Sequence, residues 1–142
     1  MPVVQPDSPQ ALSRVLALMM VADTDLDPRE VYALDDMAAF ELLGIERRQF
    51  IDAARSFCAE LRTRMGDRDY LRLSDLALID ELLDAVRSPQ ARLRVSCAAQ
   101  RVITADGRID PLERHVYDHM LARWGLTRTE VARALREPHR LH

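Results

Sequence analysis

Apolar positions in this chain recur at spacings of three and four residues, and no stretch keeps the period of two that a half-buried strand requires. Helix signals bound these runs. Ser8-Pro9 gives an N-cap with proline at the first helical position and opens a helix to about Ala22. Asp27-Pro28-Arg29-Glu30 opens a second, which Gly44 closes from just beyond its C-cap. A third spans Glu46 to Met65, with Gly66 behind it, and Ser74 caps a fourth over 75–87. Ser88-Pro89 opens a fifth, to about Thr104. Asp110-Pro111-Leu112-Glu113 opens a sixth, stopped by Gly125. Thr127 with Glu130 is a capping box for a seventh, ended by Pro138. The pattern predicts an all-α, seven-helix bundle. Its expected core includes Val15, Leu18, Met19, Leu34, Met37, Phe50, Ile79, Val95, Ala98, Val102, Val116, Met120 and Trp124.

The chain also repeats itself. Ser8-Pro9-Gln10-Ala11 and Arg14-Val15 recur as Ser88-Pro89-Gln90-Ala91 and Arg94-Val95, an offset of 80. Asp23 to Glu30 matches Asp106 to Glu113 at an offset of 83, and Gly44-Ile45 matches Gly125-Leu126 at 81. An indel of three is close to one helical turn and roughly preserves a helix face. The expectation is two pseudo-two-fold-related helix–acidic loop–helix–helix halves, 8–65 and 88–138, linked by the helix over 75–87. They form one domain over 8–138, with flexible tails at 1–7 and 139–142, which suits a length of 142 residues.

Charge narrows the function classes. The chain has 23 acids against 20 bases, a formal charge of −3, so it lacks the overall basic footprint of a nucleic-acid binder. Every base is arginine. Cys58 and Cys97 stand far apart in apolar runs, which excludes a disulfide scaffold and points to a reducing cytosol. The stretch Met1–Gln10 carries no basic leader, and the apolar run Val15–Ala22 is too short to span a bilayer. A cytoplasmic protein without direct membrane insertion is expected.

Candidate metal ligands cluster in the two acidic loops: Asp23, Asp25, Asp27 and Glu30 in the first, Asp106, Asp110 and Glu113 in the second. Hard cations such as Ca²⁺ or Mg²⁺ need several oxygen ligands, which such loops can supply. The EF-hand pattern fails, because Pro28 stands at its glycine position and Glu30 arrives too early for its final glutamate. Asp27 and Asp110, each followed by Pro and then by Glu at N3, read first as capping boxes contributing about 1 kcal/mol each. The glutamates differ. Glu30 shares a helical stripe with Leu34 and Met37, and Glu113 shares one with Val116, Tyr117, Met120 and Trp124. An inward carboxylate needs a partner or a cation. The pairs Asp23/Glu30 and Asp106/Glu113 are therefore the preferred metal ligands, with Asp25, Asp27 and Asp110 behind them.

Other candidates are weaker. His115 and His119, four apart on one helix, could share Zn²⁺, but the first repeat has Tyr32 and Asp36 there. Both cysteines read as core residues, and Ser96–Ala99 as a patch for close helix approach. Arg47, Arg48, Arg55, Arg62 and Arg64 on the third helix read as a solvated face, or as a surface for an acidic partner. No phosphate loop, nucleophile elbow or Ser–His–Asp set is present, so no enzyme is expected and a metal-dependent hydrolase lacks its constellation.

The segment Ile103-Thr104-Ala105-Asp106-Gly107-Arg108-Ile109, with Glu113 seven positions after the aspartate, resembles the Ala-x-Ala-Asp-Gly signature of TerB-like tellurite-resistance proteins. Ile103 replaces the first alanine. Met20-Val21-Ala22-Asp23-Thr24-Asp25-Leu26 with Glu30 is a looser copy, with Thr24 where the family prefers glycine. The resemblance covers roughly residues 11 to 135. It implies an all-α bundle chelating metal through the paired Asp and Glu residues, without organic cofactor. It also implies bacterial stress systems containing TerC-like membrane proteins and TerD-like calcium-binding proteins, and hence protein partners and a place peripheral to the inner membrane through one of them. No His-Pro-Asp motif of a J-domain occurs, so the stand-alone form is expected. The alternative is a metal-independent helical adaptor whose acids are only caps.

Overall fold

Helix α1 (Pro9–Met20) starts where its cap residue stands: the Ser8 hydroxyl accepts from the Ala11 N–H at 3.1 Å. Helix α5 (Pro89–Ala105) starts the same way, with Ser88 accepting from the Ala91 N–H at 3.4 Å. The computed structural model describes residues 5–20, 39–65, 76–105 and 111–137. Within them lie also α2 (Ala39–Leu43), α3 (Arg47–Met65), α4 (Leu76–Asp84), α6 (Pro111–Trp124) and α7 (Arg128–Arg136). All regular structure among the described residues is helical, in agreement with the all-α expectation. The second expected helix is described only from Ala39 onward, and the core candidates Leu34 and Met37 lie outside the described residues.

Helices α2 and α6 end in the same turn. Gly44 and Gly125 both sit at φ 70°. The Gly44 N–H donates to Glu41 C=O and the Ile45 N–H to Phe40 C=O, each at 3.1 Å. Their counterparts run from Gly125 to Ala122 at 3.3 Å and from Leu126 to Leu121 at 2.9 Å. Both are Schellman closures, in which a left-handed residue lets the last carbonyls find donors. The surroundings differ. A Cβ at Gly125 would meet open space, whereas one at Gly44 would lie 2.8 Å from Nη1 of Arg94. Gly125→Ala is expected to cost about 1 kcal/mol for its left-handed backbone alone. Gly44→Ala should cost more, because the Arg94 guanidinium must also move; urea unfolding of the two variants side by side measures the difference.

Helices α1 and α5 are the central pair and pack on each other. Every residue from Ala11 to Met19 is buried, as is every residue from Val95 to Ala99. A helix enclosed all round must be apolar all round or satisfy its polar groups internally. Ser13 does so by donating to Pro9 C=O at 2.6 Å, and Ser96 by donating to Arg92 C=O at 2.8 Å. Arg14 is buried too, its Nη2 at 2.8 Å from Glu60 Oε2 of α3 and its guanidinium 5.9 Å from the Phe57 ring centre. Around this pair, α1 contacts α2, α3, α4 and α6, while α5 contacts α2, α6 and α7.

The described core candidates are buried, except that Val102 is only half-buried against the core. Helix α4 stops at Asp84 instead of reaching 87. Asp7, at φ 59°, takes the next residues for its own bonds: its N–H donates to Ala85 C=O at 2.9 Å. Its carboxylate accepts from the N–H groups of Arg87 at 2.6 Å and Ser88 at 3.1 Å. The bend between α4 and α5 is thereby tied to the chain entering α1. Beside it, the Trp124 indole N–H donates to Leu83 C=O at 3.2 Å, fastening the end of α6 to α4.

Candidate functional site

The acidic candidates Asp23, Asp25, Asp27, Glu30, Asp106 and Asp110 lie outside the described residues. The structure does describe the helices on which these segments border. Asp23 follows α1 by three positions, and Asp106 follows α5 directly. The two segments thus leave the C-terminal ends of the two central helices. Glu113 lies in the first turn of α6, with its backbone alone described. Further along α6, Val116, Tyr117, Met120, Leu121 and Trp124 form one buried stripe. Stepping back three and four residues from Val116 and Tyr117 reaches position 113, so the helix register places it in line with this core-facing stripe.

Tyr117 adds a chemical detail one turn away. It is 2% exposed, and its hydroxyl has no hydrogen-bond partner among the described residues. A buried polar atom left unpaired is uncommon in native proteins. Burial pushes this phenol up to about 12, so it remains a neutral O–H donor at physiological pH.

Comparison with protein-family models, curated proteins and solved structures gives no match. The resemblance to TerB therefore rests on the residues quoted for it.

The histidines are arranged differently from a zinc pair. His119 Nε2 of α6 lies 2.6 Å from Asp80 Oδ1 of α4, while His115 is exposed. One turn on, Arg123 reaches Asp84 with Nε and Nη2, both at 2.8 Å, and Asp80 with Nη1 at 3.4 Å. Arg123 thus clamps the two carboxylates of α4, and its hydrogen bonds hold the Asp84 carboxyl below the usual carboxylate range. No group of three or more His, Cys, Asp or Glu side chains among the described residues is placed to hold a metal ion. Sequence reasoning missed this cluster, although the signal was present. Asp80 and Asp84 stand four apart on α4, as do His119 and Arg123 on α6, so each pair shares one helix face.

Both cysteines are buried and neither is in a disulfide, as expected of core residues. Burial pushes the Cys97 thiol up to about 11, which leaves almost no thiolate at neutral pH. No described helix is long and apolar enough to cross a membrane.

Proposed function

We propose that the protein is a non-enzymatic binding module of the TerB kind, built of two related halves. In this reading Asp23/Glu30 and Asp106/Glu113 hold a divalent cation in a bacterial tellurite or envelope stress response. Oxygen-only ligands favour Ca²⁺ or Mg²⁺ over Zn²⁺. Protein partners of TerC-like or TerD-like type would place it in the cytoplasm, at or near the inner membrane. The observation that carries the proposal is the register of α6. Position 113 falls in line with five buried side chains, among them Tyr117, whose hydroxyl has no hydrogen-bond partner among the described residues. A carboxylate there is costly unless charge or hydrogen bonding compensates it.

Duplicated local geometry supports the two-half reading. The serine caps recur at an offset of 80 and the glycine closures at 81. The packing is reciprocal as well: α1 lies on α3 and α6, and α5 on α7 and α2.

Thermal unfolding with and without Ca²⁺ or Mg²⁺ tests the cation. A ligand that binds only the folded state stabilises it by about 2.7 kcal/mol at a hundredfold excess over Kd. The wild type should gain this, and a Glu30→Gln/Glu113→Gln variant should lose the gain. A wild type indifferent to every divalent ion, beside a variant more stable than itself, would return the acids to capping and favour the adaptor.

A further inference from the structure

Helix α3 carries an outer face that the proposed cation site does not use. Its main packing partner is α1, and Phe50, Phe57 and Leu61 are buried along one side. At 3.6 residues per turn, Arg48, Arg55 and Arg62 fall on the opposite side, within an arc of about 40°. All three are exposed and seven residues apart, so successive arginines stand about 10 Å apart along the axis. They line the crest of the helix.

This crest differs in charge from the rest of the molecule. Helix α3 carries five of the 20 bases and two of the 23 acids, a formal +3 in a chain of −3, which leaves −6 elsewhere. Glu60 is turned to Arg14, and Asp52 is the one exposed acid of the helix among the described residues. Neither Arg48 nor Arg55 forms an ion pair among the described residues.

Magnitudes select what meets this face. A protein partner needs apolar anchors, because exposed ion pairs alone stabilise little. Among the described residues of α3 the one exposed apolar side chain is Ala59. A nucleic-acid groove would enclose the flanks of the helix as well, and one flank, Gln49, Ser56 and Thr63, has no charge to meet phosphate. A bilayer rich in anionic phospholipid needs neither anchor nor flank. Its potential acts on every exposed cation at once, and each arginine near it raises affinity about fivefold. That potential fades over about 8 Å at physiological salt, so it acts on the crest more than on acids behind it. We propose that the crest of α3 rests on an anionic phospholipid surface, reversibly and without insertion. The contact requires neither the cation nor a protein partner.

Sedimentation of the full chain with vesicles in EDTA tests it. The vesicles contain phosphatidylglycerol and phosphatidylcholine, and pure phosphatidylcholine is the control. Binding to the anionic vesicles alone is expected, falling as salt rises. Arg48→Glu/Arg55→Glu should weaken it by about tenfold or more. Arg133→Glu/Arg136→Glu makes the same change in net charge at exposed positions of α7, and should leave binding within about threefold. Asp52→Asn, which removes the acid beside the crest, should strengthen binding a few-fold, so the face is read by gain as well as by loss. Far-ultraviolet circular dichroism checks that each variant keeps the fold. Equal losses in the two arginine variants would reduce the effect to bulk charge and overturn the proposal. Absence of binding at low salt, or equal binding to neutral vesicles, would overturn it too. A polyglutamate peptide or a DNA duplex held through Arg48 and Arg55, while vesicles stay unbound, would assign the face to that polyanion instead.

Discussion

Phe50→Ala is expected to lower the unfolding free energy by about 3–5 kcal/mol, the range for removing a fully buried aromatic ring. Phe50 occupies the first turn of α3, with no exposed surface. Its ring lies 5.2 Å from that of Phe40 in α2, tilted by 45°. The aromatic pair therefore spans the turn at Gly44, and truncation loses transfer energy, ring–ring contact and the brace across that turn. Helices on both sides are anchored elsewhere, so the cavity should collapse only partly. Urea denaturation reads the effect as a lower midpoint at unchanged slope. Ile51→Ala, at the half-buried neighbouring position, should cost clearly less. Equal losses at both positions would show that Phe50 is not the brace described here.

Glu60→Ala should cost about 3 kcal/mol for a different reason: it strands a charge. Arg14 is 8% exposed, and its guanidinium has the Glu60 carboxylate at 2.8 Å. Without that carboxylate, the cation stays among apolar side chains with the Phe57 ring beside it. Glu60 keeps 19% of its side chain exposed, so water can partly compensate, and the cost falls at the lower end of the range for broken buried pairs. The double replacement Arg14→Met/Glu60→Leu should recover most of the loss, since an apolar pair of similar volume needs no compensation. A single variant costing no more than a surface substitution would mean that the pair is not buried in solution.

Local chemistry made much of the fold legible. Proline at positions 9, 89 and 111 and glycine at 44 and 125 mark helix ends, because each acts on the backbone within one turn. The enclosure of α1 was visible in the nearly unbroken apolar run from Val15 to Met19. The end of α4 was not, because it is set by the Asp7 carboxylate, far away along the chain. His119 shows the same limit. One helix alone pairs it with His115, whereas the bundle sets it against Asp80 of another helix. For the acidic candidates, Val116, Tyr117, Met120 and Trp124, with which the sequence aligns Glu113, are all buried, while the Glu113 side chain lies outside the described residues. The remaining carboxylates fall in the segments outside the described residues.

The crossed cover of the two central helices has a consequence for how the molecule comes apart. Helix α1 is shielded in part by α6, and α5 in part by α2, so each end of the chain shelters the helix that the other end contributes. Detaching either end bares apolar surface on both. A half-open form would therefore pay for exposure twice while recovering the chain entropy of only one end. Such a form is disfavoured, and amides in α1 and α5 are expected to exchange with solvent mainly when the whole domain opens.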